Sequence, residues 1–539
     1  MIKKSVLTTM LLLLLSSIVA GSDLNGETYL KLTIHDRSEL DKLTRVVSID
    51  NVRGEVVYAY THEDSLNVLT TMGYHYEILP HPSTLIDPVM SADKAKIKEW
   101  DVYPTYEAYV SMMYQFAIDY PTICRIENIG NSVEGRALLF AVISDNVSVE
   151  EDEPEVMHTG TMHGDETVCY VLLIRLIDSL LTSYGTDPHI TSLVNDMEIW
   201  INPLANPDGT YNGGNHTVFG ATRYNANGYD LNRNFPDPED GPNPGGTWQP
   251  ETIAMMNLAE AHSFAISANH HSGAEVVNYP WDTWVQRHAD DAWWQDISHA
   301  YADSVHEYSP SSYMDGFNDG ITNGYDWYSI AGGRQDYMNY FQGCREATIE
   351  LSNVKLLPAS QLPAHWVYNR VSLLQWLENG LYGIRGVVTN LNTGVPVAAM
   401  IEVLSHDVDS SQVFCDPDVG DYHRMIEAGS WDLRFTALGY VPLTIYGVTV
   451  SDFNTTILDV QMEPLSNDPA MEFVSQDAGL IDPGDAVSMN VTLVNNGGGD
   501  ATNLTGTLTC ADSFVTITQN YSTYPTITAL GGIGTSNSL

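Results

Sequence analysis

The stretch EVMHTGTMHGDETVCYVLLIRLIDSLL, residues 155–181, joins a short strand pattern, a polar bend and a long apolar helix pattern. EVMHTG has the length and side chains of a strand, and TVCYVLLIRLIDSLL is long enough to be a helix. A strand that runs through a polar loop into a helix is the repeating element of an α/β sheet, and polar residues collect at the strand ends of such a sheet. Inside the bend, His163 and Glu166 stand three positions apart around Gly164. Histidine and carboxylate both suit Zn²⁺. A carboxylate at a helix start is also favoured by the helix dipole alone, so the pair needs partners from elsewhere before a metal reading stands.

The same alternation continues on both sides of this stretch. MEIWINPLANPDG reads as a buried strand entering a turn, ETIAMMNLAEAH as a helix, FAISANHH and EATIELS as strands, and LPAHWVYNRVSLLQWLENGL as a closing amphipathic helix. We therefore assign residues 93–382 to one α/β domain. Ahead of it, residues 21–92 mix strand-like runs (TYLKLTI, EVVYAY, YHYEILP) with helix-like ones (DRSELDKL, EDSLNVLTTM), as a small α+β unit would. An inhibitory prodomain and a plain docking domain both fit that unit. HPSTLIDPVMSADKAKIKEW reads as the linker between the two. After residue 382 the long helices stop. Residues 383–464 and 465–539 are strand-rich with Gly and Asn turns, as two small β-sandwiches would be, the last one ending as if truncated.

A chain of 539 residues exceeds one ordinary core, and its apolar share of 43% describes a folded protein. Its 23 Lys and Arg against 69 Asp and Glu give a formal net charge of -46, which repels nucleic acid and anionic membranes and attracts cationic substrates. Residues 1–20 have the charged start (Lys3, Lys4), apolar stretch and small terminal residue of a secretory signal, so the mature protein is expected to be exported, without a transmembrane segment. The five cysteines are scattered and contain no CxxC pair, which reads as isolated buried thiols with at most one or two bridges.

Further polar clusters supply partners for His163 and Glu166. SANHHSG places His270 and His271 at the end of an apolar strand, where neighbouring side chains face opposite ways, so only one of them can point at a metal. TRYNANGYDLNRNFPD, residues 222–237, puts Arg223, Asn232 and Arg233 in one loop, and arginine beside an amide suits capture of a carboxylate. In so acidic a chain those arginines could instead neutralise nearby aspartates. CREATIELSN sets Glu350 among Ala347, Ile349 and Leu351, where a carboxylate is costly unless paired or functional.

In their order and spacing these segments resemble the zinc metallocarboxypeptidases, and within them the carboxypeptidase N/E and D-like branch, over about residues 100–382. The resemblance implies a mixed-sheet catalytic domain holding one Zn²⁺ on His163, Glu166 and His271. Glu350 is then implied as the base that assists attack of zinc-bound water, and Arg223 as the group that polarises the scissile carbonyl. Asn232 and Arg233 correspond to the clamp on the terminal carboxylate, and Tyr328, in GYDWYSIAGG, to a tyrosine closing over substrate. GIRGVVTNLNTGVPV resembles the start of the transthyretin-like sandwich that follows the catalytic domain in this branch. The implied activity is removal of the C-terminal residue of peptides or proteins. Asp282, in NYPWD, and Gln335, in GGRQDY, stand where the branch reads a C-terminal Lys or Arg. Two departures are Arg334, where methionine is common and which, if it reached the pocket, could pair with Asp282, and Asp165, where Asn is frequent. A zinc amidase of cell-wall peptides would use the same ligands, and a non-catalytic surface binding protein is the reading from another class; oligomeric state stays open.

Overall fold

The computed structural model describes residues 24–478, 484, 486–512 and 514–537, so the signal-like residues 1–20 lie outside the described residues. The central element is an eight-stranded sheet in the spatial order Ile321–Asn323, Glu275–Tyr279, Arg345–Leu351, Phe264–His271, Glu155–Gly160, Glu198–Asn202, Ala137–Ile143 and Cys124–Asn131. The four middle strands run parallel to one another, and antiparallel neighbours flank them, so the sheet is mixed. Every residue of these four strands is buried, as a parallel sheet covered on both faces requires. Val156 faces a large apolar core with the helices Tyr106–Asp119, Thr167–Ser183, Asp291–Tyr308 and Leu362–Glu378. Met157, one residue on, faces a second core with Pro250–Ala261 and Arg334–Phe341. The two-residue period of a strand thus divides its side chains between two helical layers.

Residues 28–78 form the expected α+β unit, a four-stranded sheet with two short helices. It contains a strand that the sequence reading passed over, Ser48–Arg53, next to Val56–Thr61. Its apolar core is continuous with the α/β domain, because Leu32, Val57 and Leu69 share a cluster with Val276, Trp327, Tyr328 and Ile330. The expected linker is largely docked: His81 and Ser83 are buried, Met90–Ser91 pairs with Tyr103–Pro104, and Ile97 and Trp100 enter the large core. Only Leu85, Asp87 and Val89 within Leu85–Val89 are well exposed.

Residues 383–464 build two facing sheets around Ile384, Ile401, Leu433 and Phe435, a β-sandwich as expected. An ionic cluster joins it to the α/β domain. Arg424 grips Asp290 with two bonds of 3.0 and 2.8 Å, Arg345 adds one at 3.1 Å, and His406 a contact of 2.8 Å. From 465 onward a three-stranded and a two-stranded sheet enclose a small core of Ala501, Tyr524 and Ile527. All five cysteines are free; four are buried, but Cys510 is exposed, which corrects the expectation of uniformly buried thiols. Among the described residues, no single helix is long and apolar enough to cross a membrane.

Candidate active site

The bend after Glu155–Gly160 is tied down by contact. A Cβ on Gly164 would sit 2.4 Å from the Gly209 and Thr210 backbone, so only glycine lets the bend lie against the Pro207–Thr210 turn. That packing turns His163 and Glu166 inward, where His271 meets them. His163 Nδ1 lies 2.9 Å from Glu166 Oε1, His271 Nδ1 lies 2.8 Å from Glu166 Oε2, and the two Nδ1 atoms are 3.0 Å apart. The alternation argument holds: His271 joins this group, whereas His270 points away and contacts His158 at 2.8 Å. Three buried donors converging on one point, two of them imidazole nitrogens, are the donor set that zinc takes. Asp230 accepts from His163 Nε2 at 3.0 Å, the kind of outer carboxylate that fixes a ligand's tautomer. Burial pushes the Glu166 carboxyl up, but Lys355, His163 and His271 outweigh it and hold it well below the usual range.

Glu350 is the register partner of His271 on the adjacent parallel strand, so both side chains leave the same face of the sheet. Its Oε2 is buried with no hydrogen-bond partner among the described residues. Burial first, and then the nearby Glu166, raise its carboxyl well above the ordinary range. Arg223 donates from Nε to Ser48 Oγ at 2.7 Å and to Asp230 at 3.1 Å, and its Nη1 lies 3.6 Å from Glu166. Arg233 donates once, from Nη1 to the Asn232 carbonyl at 2.8 Å; its Nε and Nη2 are buried and without a partner among the described residues. Asn232 Oδ1 accepts from the Arg334 backbone at 3.0 Å, which turns its NH₂ group away from that bond. A wall of unpaired guanidinium donors is a receptor for a carboxylate.

Asn232, Arg233, Arg223, Tyr328 and Glu350 line one cavity with His163 and His271. Asp282 and Gln335 do not line it. They sit one layer beneath its floor, where Asn278 donates to Asp282 at 3.0 Å and Gln335 Oε1 accepts from the Thr348 backbone at 2.8 Å. Burial pushes the Asp282 carboxyl up to about 6. Arg334, considered from sequence as a partner for Asp282, is instead fully buried against Glu346 in two bonds of 2.9 and 2.8 Å. Tyr328 packs in the core shared with the N-terminal unit, its hydroxyl 3.3 Å from the Ile49 carbonyl. Asp165 is buried and accepts from Tyr60 of that unit at 2.5 Å.

Sequence reasoning missed three contributors. Lys355, five residues beyond Glu350, reaches Glu166 at 2.6 Å. Asp50 and Ser48 reach the cavity from the N-terminal unit. Lys355 was visible as one of few cations, close after the strand of Glu350. Val47 and Ile49 carry the period-two apolar signal of the missed strand.

Comparison with known proteins agrees with this geometry. Residues 109–372 match the zinc carboxypeptidase family of peptidases. Carboxypeptidase D of Mus musculus is 38% identical over 365 residues, 64% of this chain and 25% of that protein, so the chain spans about a quarter of that relative's length. The carboxypeptidase N catalytic chain of Homo sapiens is 35% identical over 397 residues, 66% of this chain and 85% of that one. The crystal structure of carboxypeptidase A from Helicoverpa armigera superposes with a TM-score of 0.51 at 19% identity, covering 66% of this chain and 99% of that one, which bears on the fold. Extending over most of a relative's length at that identity, and carrying a buried donor set that fits one catalytic zinc, the chain belongs to the zinc carboxypeptidase family.

Proposed function

We propose that this protein is an exported carboxypeptidase that removes single C-terminal residues from peptides or proteins and prefers Lys or Arg there. The observation that carries the reading is the pair of buried, unpartnered nitrogens on Arg233 beside Asn232, in the same cavity as the three-donor cluster. Such a wall holds a free carboxylate, and only the last residue of a chain offers one on its backbone. When bound, zinc supplies a Lewis acid that acidifies a water and polarises a carbonyl. Arg233 and Asn232 fix the terminal carboxylate, which sets the scissile bond over Glu350. Arg223 stabilises negative charge developing on the carbonyl oxygen. Glu350 takes the proton from water and returns it to the leaving amine, using a carboxylate oxygen that is buried with no hydrogen-bond partner among the described residues. Asp282, buried beneath the floor with no arginine bonded to it, supports a preference for a cationic side chain. Export rests on the signal-like residues 1–20.

The N-terminal unit fits the inhibitory reading better than plain docking, because its strand Ser48–Arg53 places Asp50 in the cavity and binds two of the lining residues, Arg223 through Ser48 and Tyr328 through Ile49. The exposed Leu85–Val89 stretch is where a protease would separate it. The test is hydrolysis of acyl dipeptides ending in Arg, Phe or Glu by the zinc-loaded full chain, before and after cleavage in that stretch, at nanomolar protein. Chelator-sensitive release of Arg, rising after cleavage, is expected. Absence of C-terminal release from every peptide in both states would overturn the proposal.

A further inference from the structure

Lys355 has no part in the chemistry described so far, yet it stands at the centre of the site. It is 5% exposed, and its ammonium lies 2.6 Å from Glu166 and 2.5 Å from Asp50. A buried ammonium is costly unless carboxylates surround it. Glu166 is shared with two histidines, so the second acid, Asp50, completes the compensation. Asp50 also lies 3.8 Å from Arg223 and accepts from the Tyr29 hydroxyl at 3.0 Å. The strand that carries it is tied to the α/β domain on both sides of Asp50. The Asn51 side-chain Nδ2 donates to the Gly273 carbonyl at 2.8 Å, and the Tyr328 hydroxyl donates to the Ile49 carbonyl. A piece of extended chain therefore lies over the site and delivers one acidic side chain to two cations, as a bound peptide would.

We propose that Lys355 with Arg223 forms an anion subsite beside the metal cluster, filled by Asp50 in this chain, which in the uncovered site selects an acidic side chain on the residue preceding the cleaved bond. This rests on the carboxypeptidase reading above. The terminal carboxylate goes to Arg233 and Asn232, and the cleaved side chain goes toward Asn278 and the Asp282 beneath it. The carbonyl lies at the His163, Glu166 and His271 cluster. The next residue toward the N-terminus then meets the part of the same cavity lined by Lys355, which contacts Glu166 of the cluster. Without Lys355 the subsite keeps only Arg223, which already donates to Asp230, so most of the preference for an acid should go with the lysine.

The test compares the zinc-loaded full chain, both uncleaved and after cleavage in Leu85–Val89 with dilution, in four forms: unchanged, Lys355→Met, Lys355→Arg and Asp50→Asn. Each is given acyl-Glu-Arg, acyl-Ala-Arg and acyl-Lys-Arg, with bound zinc measured in parallel. We expect the unchanged protein to favour Glu over Ala before the cleaved bond by about tenfold in kcat/KM, the effect of one modest charge contact. Lys355→Met should bring that ratio close to one while zinc stays at one per chain, and Lys355→Arg should retain it in part. Asp50→Asn should raise turnover by the uncleaved chain and leave the ratio as it was. An equal Glu-to-Ala ratio in the unchanged protein overturns the proposal. So does a ratio indifferent to Lys355→Met, or loss of zinc as the only effect of that change. Absence of turnover on all peptides in all four forms overturns instead the carboxypeptidase reading beneath it.

Discussion

Replacing Arg233 by methionine removes the two guanidinium nitrogens that are buried and unpartnered, Nε and Nη2, and keeps the bulk of the side chain. A hydrogen bond between charged groups contributes about 1.5–3 kcal/mol, so two of them to a substrate carboxylate amount to about 3–6 kcal/mol. At tenfold per 1.4 kcal/mol, kcat/KM for a peptide ending in a free acid should fall by about 10²–10⁴. The same variant tested on the carboxamide of that peptide should match the parent, because neither has a terminal carboxylate to hold. Stability should change by at most about 1.5 kcal/mol, since the one native bond lost is from Nη1 to the Asn232 carbonyl. The assay is release of the terminal residue from paired free-acid and amide substrates, with a denaturation curve for each protein. A loss smaller than tenfold on the free acid, or an equal loss on the amide, would refute the clamp.

Glu350→Gln should keep one zinc per chain and lose about 10²–10⁴ in turnover, as removal of a general base does; metal analysis beside a rate measurement checks this, and near-normal rates contradict the assignment. Asp290→Ala should destabilise the protein by about 3–5 kcal/mol, because it leaves the buried Arg345 without an acid and Arg424 with Asp407 alone, and a change under 1 kcal/mol in chemical denaturation would remove the cluster from any structural role. His158 is buried, with its proton affinity lowered by that burial to a pKa of about 4, while the unfolded chain protonates near the ordinary value of about 6.5. Its contribution is therefore fully present above about pH 6.5 and is lost as pH falls toward 4, reaching about 2 kcal/mol at pH 5. His158→Gln should lose less stability between pH 7 and pH 5 than the parent, and equal losses would show that this histidine does not carry the acid sensitivity.

What could be read from sequence depended on how local the determinant was. The strand, bend and helix of residues 155–183 follow from apolar periodicity, and the division of labour between His270 and His271 follows from the two-residue period of a strand. The convergence of residues 163, 166, 223, 232, 233, 271 and 350 was legible only through the resemblance of their motifs, taken together, to the zinc carboxypeptidases, since each motif alone also fitted an ordinary structural role. Contacts that form only when distant segments meet were not. Arg334 looked able to reach Asp282, but Glu346, two strand positions from Thr348, takes its Nε and Nη2. Asp282 and Gln335 lie under the cavity floor because Asn278 and Thr348 cover them. Ser48 and Asp50 are the polar alternates of a strand whose apolar signal, Val47 and Ile49, is short, and the cations they meet in the site, Arg223 and Lys355, lie more than 170 positions away.

The apolar seam between the N-terminal unit and the α/β domain bears on what a cut in Leu85–Val89 can achieve. Leu32, Val57 and Leu69 on one side and Val276, Trp327 and Ile330 on the other bury one another without help from that stretch. Cleavage there leaves every one of these contacts in place. It changes only the tether: a cover held at an effective concentration on the order of millimolar becomes a separate molecule at the prevailing protein concentration. Under the inhibitory reading, the cut protein stays silent where it is crowded and opens where it is dilute, so that dispersal, rather than the proteolytic event, sets the moment of activity.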